Sequence, residues 1–274
     1  MSIRKNIWMA ILTIITVCCV IGGTFYHAGI FQVKGGFRFG EDRMTSASAG
    51  LETFHAINVD ADMMDLSIEE GDNFYLHGKY TDRLKFEYEV KDGVLFLKER
   101  NPRKIFWGGV RGENCNITLT IPQNTVMDRI EIKLAMGNAD LENIASIDCE
   151  VLNNMGNCTF EKCSFDKADI DTNMGEITIK DTDLGKADVD NDMGTIQIER
   201  CIFEVLNADN SMGDISIEAN QNLDKYQIEL GAEMGNVKVN GESEGTRYRQ
   251  SGNAGTLEAS TSMGSVRLDY KNAE

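Results

Sequence analysis

The sequence contains little proline, histidine or basic charge. Its two prolines stand against 26 glycines, a balance that favours a β-rich chain with glycine at its corners. The three histidines, His27, His55 and His77, all lie in the first third of the chain, so the rest lacks the commonest general base. Lysine and arginine number 27 against 44 acidic residues, for a net charge of −17. Because phosphates and anionic headgroups would be repelled, the folded part is not expected to bind nucleic acid or anionic lipid.

The cysteine pattern argues against both a disulfide framework and a structural zinc site. The seven cysteines are odd in number, and no two of them are spaced as Cys-x-x-Cys. Two lie in the apolar N-terminus and five in or beside predicted strands: Cys18, Cys19, Cys115, Cys149, Cys158, Cys163 and Cys201. We therefore expect buried thiols that act as small apolar side chains, and no cofactor.

A repeat of 19 residues organises the C-terminal half of the chain. Met-Gly pairs begin at residues 136, 155, 174, 193 and 212, and again at 234 and 263 after longer intervals. Apolar and polar residues alternate on both sides of each pair, which is typical of strands with one buried face. Each glycine is expected at a corner that needs a positive φ or a close backbone approach. The repeated glycines are Gly137, Gly156, Gly175, Gly194, Gly213, Gly235 and Gly264.

Two all-β architectures fit this repeat. In a β-solenoid, equivalent strands of successive coils stack in parallel, whereas in an antiparallel meander the strand before Met-Gly would pair with the strand after it. A solenoid would stack Ile177, Ile196 and Ile215 in one ladder, with the smaller Ala168 and Ala187 at matching depth on the facing strand. Because large side chains opposite small ones fill a thin core, we predict a β-solenoid (β-helix-like) of 19-residue strand-turn-strand repeats, with the meander as the alternative.

The N-terminus contains the longest apolar run. Residues 7–26 have no charged side chain and, as a helix, would span about 30 Å, the thickness of bilayer hydrocarbon. Arg4 and Lys5 precede the run and would remain on the cytoplasmic side. We predict a cytoplasmic N-terminus at 1–6, a transmembrane helix at 7–26 and a flexible stalk at 27–50. The C-terminal domain would then lie outside the cell membrane, unless the apolar run is a cleaved signal peptide.

Residues 51–125 alternate like strands without the 19-residue period, so we predict an N-terminal β cap and opening coils there. Regular repeats follow at 126–270, and a tail at 271–274. Three local patterns occur in this cap: Phe54-x-x-Ile57-x-Val59 with Asp65-Leu66-x-Ile68-x-x-Gly71-Asp72, then Asp92-Gly93-x-Leu95-x-Leu97, then Ile117-Thr-Leu-Thr-Ile-Pro122. With the glycine-spaced strands, they make the chain resemble the putative adhesin domain family of unknown function, which is found in bacterial envelope proteins, often behind one membrane helix. The resemblance implies a β-solenoid in the cell envelope and supplies no catalytic residues.

Acidic side chains form the first candidate site. Two outward columns are predicted, one of Asp169, Asp188 and Asn207 and one of Asp171, Asp190 and Asp209. Coils about 4.8 Å apart would stack these carboxylates, and a hard cation such as Ca²⁺ could neutralise their repulsion. The competing interpretation is a solvated, repeated surface, since the chain lacks the Gly-Gly-x-Gly-x-Asp nonapeptide of calcium-binding β-rolls. The aspartates are therefore weak metal-site candidates.

An insertion at Gly241–Asn253 forms the second candidate site. It contains Arg247, Tyr248 and Arg249, and both residue types are common at protein-binding hot spots. We expect a protruding loop there, which either binds a partner or only lengthens a corner.

These patterns predict a non-catalytic binding or scaffold module of the bacterial cell envelope. Its N-terminal helix would contact the membrane, and its ligand would be an envelope protein or a glycan. One alternative is an accessory or sensory subunit of an envelope-stress system. The other is a carbohydrate-active β-helix enzyme, which would use paired carboxylates.

Overall fold

The computed structural model describes residues 44–81, 85–100 and 115–271. All regular structure in these ranges is β, with 21 strands. They are β1 (Met44–Gly50), β2 (Ala56–Gly71), β3 (Tyr75–Thr81), β4 (Lys85–Lys91), β5 (Val94–Arg100), β6 (Cys115–Pro122), β7 (Val126–Met136), β8 (Ala139–Glu142), β9 (Ala145–Met155), β10 (Cys158–Glu161), β11 (Ser164–Met174), β12 (Ile177–Lys180), β13 (Asp183–Met193), β14 (Ile196–Met212), β15 (Ile215–Ala219), β16 (Gln227–Met234), β17 (Val237–Val239), β18 (Glu242–Gly245), β19 (Arg247–Gln250), β20 (Thr256–Met263) and β21 (Val266–Tyr270). Within the same ranges there is no helix that could cross a membrane. The helix predicted at 7–26 lies outside the described residues.

Successive coils stack in parallel, which confirms the predicted β-solenoid and excludes the meander. Sheet A contains the strands that follow each Met-Gly pair, and sheet B contains those that precede it. In sheet A, β12 pairs with the first part of β14, which places Ile177 beside Ile196; β15 then places Ile215 on the other side. In sheet B, β11 pairs with β13 and places Ala168 beside Ala187. Like residues therefore form ladders in both sheets.

The inward columns of both sheets form one hydrophobic core. Ile177, Ile196 and Ile215 are fully buried, and Ala187 is only 2% exposed. Phe160 of sheet A meets Phe165 of sheet B edge-on, with ring centroids 6.0 Å apart. The five cysteines in the described ranges are free and buried, as predicted for apolar thiols.

The Met-Gly corner requires glycine for two reasons. Gly156 has a φ of 140°, in the region that favours glycine, and a Cβ there would lie 1.9 Å from the carbonyl oxygen of Gly137 in the preceding coil. That same carbonyl accepts a hydrogen bond of 3.0 Å from the buried Nδ2 of Asn153. A side chain at residue 156 would therefore push the coils apart.

The order of the coils in space differs from their order in the chain. At the C-terminal end, β20 pairs with β14 on one side and with β16 on the other. Likewise, β21 lies between β15 and β17. At the N-terminal end, β2 lies between β7 and β5 in sheet B, and between β8 and β6 in sheet A. At each end of the solenoid, the outermost coil is therefore not the coil that comes first or last in the sequence.

Antiparallel strands cover these outermost coils. At the N-terminal end, β4 pairs with β5 and β3 pairs with β6. At the C-terminal end, β18 pairs with β17 and β19 pairs with β16. The insertion at Gly241–Asn253 is therefore not the protruding loop that we predicted, because most of it forms β18 and β19. The exposed edges of β16 and β17 bind these strands through backbone hydrogen bonds.

Candidate functional site

Carboxylates cover the outer surface of sheet B. Strand pairing places Asp169 beside Asp188, and places Asp190 between Asp171 and Asp209. Other acidic residues extend the column of Asp169 and Asp188 toward both ends of the sheet. We call this surface the acidic face: Glu131, Glu150, Asp169, Asp171, Asp188, Asp190, Asp209, Glu229 and Glu258.

Mutual repulsion affects the protonation of the acidic face. Partial desolvation raises the pKa of Asp190, and the carboxylates of Asp209 and Asp171 raise it further. The pKa of Asp171 is raised for the same two reasons. At the N-terminal end of the face the charge is offset, since Arg129 contacts Asp148 and also pairs with Glu150 at 2.5 Å. The raised aspartate pKa values therefore lie in the middle coils, at Asp171 and Asp190.

The stacked aspartates line up along the sheet and do not surround a point. Asn207 Nδ2 donates a hydrogen bond of 2.6 Å to Asp188 Oδ1, so a neutral amide interrupts one of the two columns. Among the described residues, no group of three or more His, Cys, Asp or Glu side chains could hold a metal ion. The predicted aspartates share a surface, but they do not converge as calcium ligands would.

An open groove lies where the acidic face meets β19. We call it the C-terminal groove. Its floor is formed by small residues of sheet B, Gly231 and Ser260, which lie next to each other on paired strands. Its other lining residues are mainly polar: Asp209, Glu229, Leu230, Ala232, Glu233, Thr246, Arg247, Arg249, Glu258, Ala259, Thr261 and Ser262.

The strand β19 divides the predicted Arg-Tyr-Arg segment between two faces. Arg247 and Arg249 line the groove, and Arg249 Nη2 pairs with Glu229 Oε1 at 2.5 Å. Tyr248 points the other way, packs against the hydrophobic core and donates a hydrogen bond of 3.1 Å to Gln250 Oε1. The structure thus separates Tyr248 from the two arginines, because side chains alternate along a strand.

The groove joins residues that the sequence placed in separate candidate sites. Asp209 belongs to the predicted aspartate column, whereas Arg247 and Arg249 belong to the insertion. They come together because β20 and β16 follow β14 in sheet B. The sequence analysis did not name Glu229 and Glu258, although each stands five residues before a Met-Gly pair, as Asp169 and Asp188 do. That phase places them in the outward aspartate column, but the repeat does not show that β20 lies between β14 and β16. Guanidinium donors and carboxylate acceptors beside a floor of small residues suit a ligand rich in hydroxyl groups.

A family profile covers the whole solenoid. The profile described as Toastrack DUF4097 matches residues 54–274, from just before β2 through the last coil. The chain belongs to the Toastrack DUF4097 family. This confirms the predicted resemblance to a domain of unknown function. The Toastrack domain of this chain includes both the acidic face and the groove.

Several solved structures resemble this Toastrack domain. A putative adhesin from Bacteroides fragilis is 14% identical over 84% of this chain and 97% of its own, with a TM-score of 0.47. A putative adhesin from Parabacteroides merdae is 13% identical over 84% and 97%, with a TM-score of 0.44. A putative lipid binding protein from Parabacteroides distasonis is 14% identical over 84% and 97%, with a TM-score of 0.38. No curated protein matches the chain. Because these identities are low, the functional inference depends on the groove of this chain.

Proposed function

We propose that this protein is a non-catalytic binding module of the bacterial cell envelope that binds a glycan in the C-terminal groove. The observation that supports this proposal is the groove itself, where Arg247 and Arg249 face Asp209, Glu229 and Glu258 across a floor of small residues. Carboxylates accept hydrogen bonds from sugar hydroxyls, and guanidinium groups donate to them. The open shape of the groove suits a chain that lies along the surface more than a small molecule that must be enclosed.

A glycan fits the groove better than a protein does. Protein-binding hot spots are enriched in aromatic anchors. Tyr248 is the one aromatic side chain of β19, and it packs against the core, away from the groove. The residues that do line the groove are mostly charged or small. Their polarity supports hydrogen bonding to a hydrophilic ligand.

The same residues favour binding over hydrolysis. A glycosidase needs two carboxyl groups that flank the scissile bond, one of them free to donate a proton. In the groove, the carboxylate of Glu229 is already engaged by Arg249, whose Nη2 lies 2.5 Å from its Oε1. The proposal also includes the membrane anchor predicted at residues 7–26, which would hold the groove outside the cytoplasmic membrane.

Binding of purified envelope glycans to the full-length protein tests this function. We expect Arg247→Ala and Arg249→Ala to weaken binding by about tenfold each, since each removes a charge-assisted donor. Arg267→Ala is the matched control, because Arg267 is also an exposed arginine in an ion pair but lies on sheet A. Equal binding by all three variants would contradict the proposal. Release of reducing ends that is lost in Asp209→Asn would support the enzyme alternative instead.

A further inference from the structure

A column of methionines follows one corner of the solenoid. In seven coils a methionine stands directly before the corner glycine. In the coil that contains β2, Met63 occupies the equivalent position. Strand pairing aligns these methionines. We call this column the methionine ladder, in spatial order Met63, Met136, Met155, Met174, Met193, Met212, Met263 and Met234. At about 4.8 Å per coil, it extends for about 34 Å. Its C-terminal end adjoins the C-terminal groove, because Met234 and Met263 directly follow the lining residues Glu233 and Ser262.

Backbone hydrogen bonds fix the spacing of the ladder. The amides of five corner glycines donate to the carbonyl of the methionine in the next coil, for example from Gly156 to Met174 at 2.9 Å and from Gly194 to Met212 at 3.0 Å. The same bond joins Gly213 to Met263 at 2.8 Å, so the spacing continues across the change in coil order. Neighbouring thioethers are therefore held one strand spacing apart.

Seven of the eight ladder side chains are exposed, and Met63 is half-buried. Met155, Met174 and Met193 are each 41% exposed. Met234, which has a ladder neighbour on one side only, is 67% exposed. At this end of the ladder, Met263 covers one side of Met234 and nothing in the ladder covers the other. A side chain with three rotatable bonds at such a position can turn its sulfur toward the sulfur of the adjacent coil.

Packing does not explain why every position is methionine. The preceding residue in successive coils is equally exposed, and its identity varies between Asn154, Asn173, Asp192 and Ser211. The fold therefore tolerates different side chains at the surface of this corner. The recurring feature at the next position is the thioether, which indicates a chemical role for the sulfur.

The ladder is too narrow for an apolar docking surface. It is one side chain wide, and polar residues border it on both sides, such as Asn173 before Met174 and Glu176 after Gly175. Docking faces on proteins are broader apolar patches. Paired sulfurs, in contrast, need only one column.

Thioether sulfur is a soft, neutral ligand that selects monovalent copper over calcium, magnesium or manganese. The net charge of −17 favours the approach of a cation without supplying competing soft ligands at the corner. We propose that the methionine ladder binds monovalent copper or silver ions, each held between the thioether sulfurs of adjacent coils. Paired in this way, the column accepts at most about four ions. This inference does not rest on the proposed glycan binding.

Titration with silver ions, followed by NMR of the methionine methyl groups, tests this inference. The full-length protein is used in detergent, with Cys18 and Cys19 replaced by serine so that these two thiols do not compete. We expect silver to shift the methyl signals of the ladder. The signals of Met64 and Met127, which are fully buried outside the ladder, serve as internal controls and should not move. Cuprous ion under anaerobic conditions should give the same pattern.

A combined Met155→Leu, Met174→Leu, Met193→Leu and Met212→Leu variant removes the central sulfurs but keeps the apolar volume. We expect its affinity for cuprous ion, measured by competition with a chromogenic chelator, to fall by about tenfold or more. Met127→Leu is the matched control and should bind as the parent does. Unshifted ladder methyls at saturating silver would overturn the proposal. Parent-like affinity of the combined variant would also overturn it, and would assign the metal to the buried thiols.

Discussion

Single positions in the solenoid differ sharply in what they tolerate, because the core is only two side chains thick. Ile198 is 1% exposed and lies between Ile179 and Ile217 of the neighbouring coils. Its chain neighbour Gln197 points outward between Thr178 and Ser216. The two positions share a strand and a coil, so a comparison of substitutions at them reports the effect of burial.

The first prediction compares these two positions. Ile198→Asp should lower the free energy of unfolding by more than about 3 kcal/mol, since it buries a carboxyl group without a partner. Gln197→Asp should change it by less than about 0.5 kcal/mol, since that side chain reaches water. Urea denaturation of both variants checks the difference. Equal midpoints would contradict the assignment of inner and outer faces.

The second prediction concerns the charge of Asp190. Its pKa in the folded protein is raised, first by partial desolvation and then by Asp209 and Asp171. A raised carboxyl pKa means that the folded state binds more protons, so stability falls as pH rises through this range. Asp190→Asn should therefore stabilise the folded protein at neutral pH. This gain in stability should vanish at about pH 3, because the carboxyl group is then protonated in the folded and the unfolded state.

Asp181 is the control for the pH experiment, with the opposite sign. Arg200 donates two hydrogen bonds of 2.8 Å to its carboxylate and lowers its pKa. The stability linked to Asp181 is therefore present at neutral pH and lost on acidification. Asp181→Asn should destabilise the protein slightly at neutral pH. If both variants changed stability in the same direction at neutral pH, the electrostatic account of the acidic face would be wrong.

Among the strands, those that close the ends of the solenoid differ from those that form its coils. Strands inside the stack have a parallel partner on both sides. The outermost strand of sheet B, β16, has a parallel partner, β20, on one side only, and the antiparallel β19 covers its other edge. An uncovered edge would pair with other chains. The insertion that carries β18 and β19 therefore has a structural role in addition to its contribution to the groove.

The third prediction separates these two roles within β19. Tyr248 packs against the core and lies opposite Leu230 of β16. Tyr248→Ala should lower the free energy of unfolding by about 1–3 kcal/mol, because it removes part of the cover over the last coil. Arg247→Ala should cost less than about 0.5 kcal/mol, because Arg247 is exposed. Thermal unfolding measures both, and an unchanged melting temperature for Tyr248→Ala would show that β19 does not cap the solenoid.

For the molecule as a whole, the order of coils decides which residues meet. The last strands in sequence, β20 and β21, occupy the second coil from the C-terminal end. The acidic face and the C-terminal groove depend on this order, since it places Ser260 between Asp209 and Gly231.

The fourth prediction tests the coil order by cross-linking. In the structure, Asn207 is the strand partner of Glu258, and Glu258 is the partner of Glu229. Cysteines at 207 and 258 would lie about 4.8 Å apart at their Cα atoms, whereas 207 and 229 would be about 9.6 Å apart. Disulfides need less than about 7 Å. Asn207→Cys with Glu258→Cys should therefore oxidise readily, and Asn207→Cys with Glu229→Cys should not. The reverse result would mean that the coils follow the sequence order.

The fifth prediction concerns the N-terminal segment. If residues 7–26 form an uncleaved anchor, the mature chain should sediment with membranes and retain its full intact mass. Protease added outside the cell should then digest the C-terminal domain. A mature chain that begins after Tyr26 would show instead that the segment is a signal peptide.

The repeat in the sequence was sufficient to predict the regular coils. A strand with one buried face must alternate with period two, and a glycine at a crowded corner cannot be replaced, so both features are visible in the residues. The ladder of Ile177, Ile196 and Ile215, the preference for a solenoid over a meander and the burial of the five described cysteines followed from that pattern. These are local properties that repeat from coil to coil.

The tertiary structure alone decided how the ends close and where the groove lies. Equivalent strands have the same pattern, so β16 and β20 could each pair with β14, and alternation cannot choose between them. For the same reason, the pattern of Arg247, Tyr248 and Arg249 did not show that the insertion would become an edge strand, with tyrosine inward and arginine outward. Pairing between strands distant in sequence depends on the packing of the complete core, which no local pattern encodes.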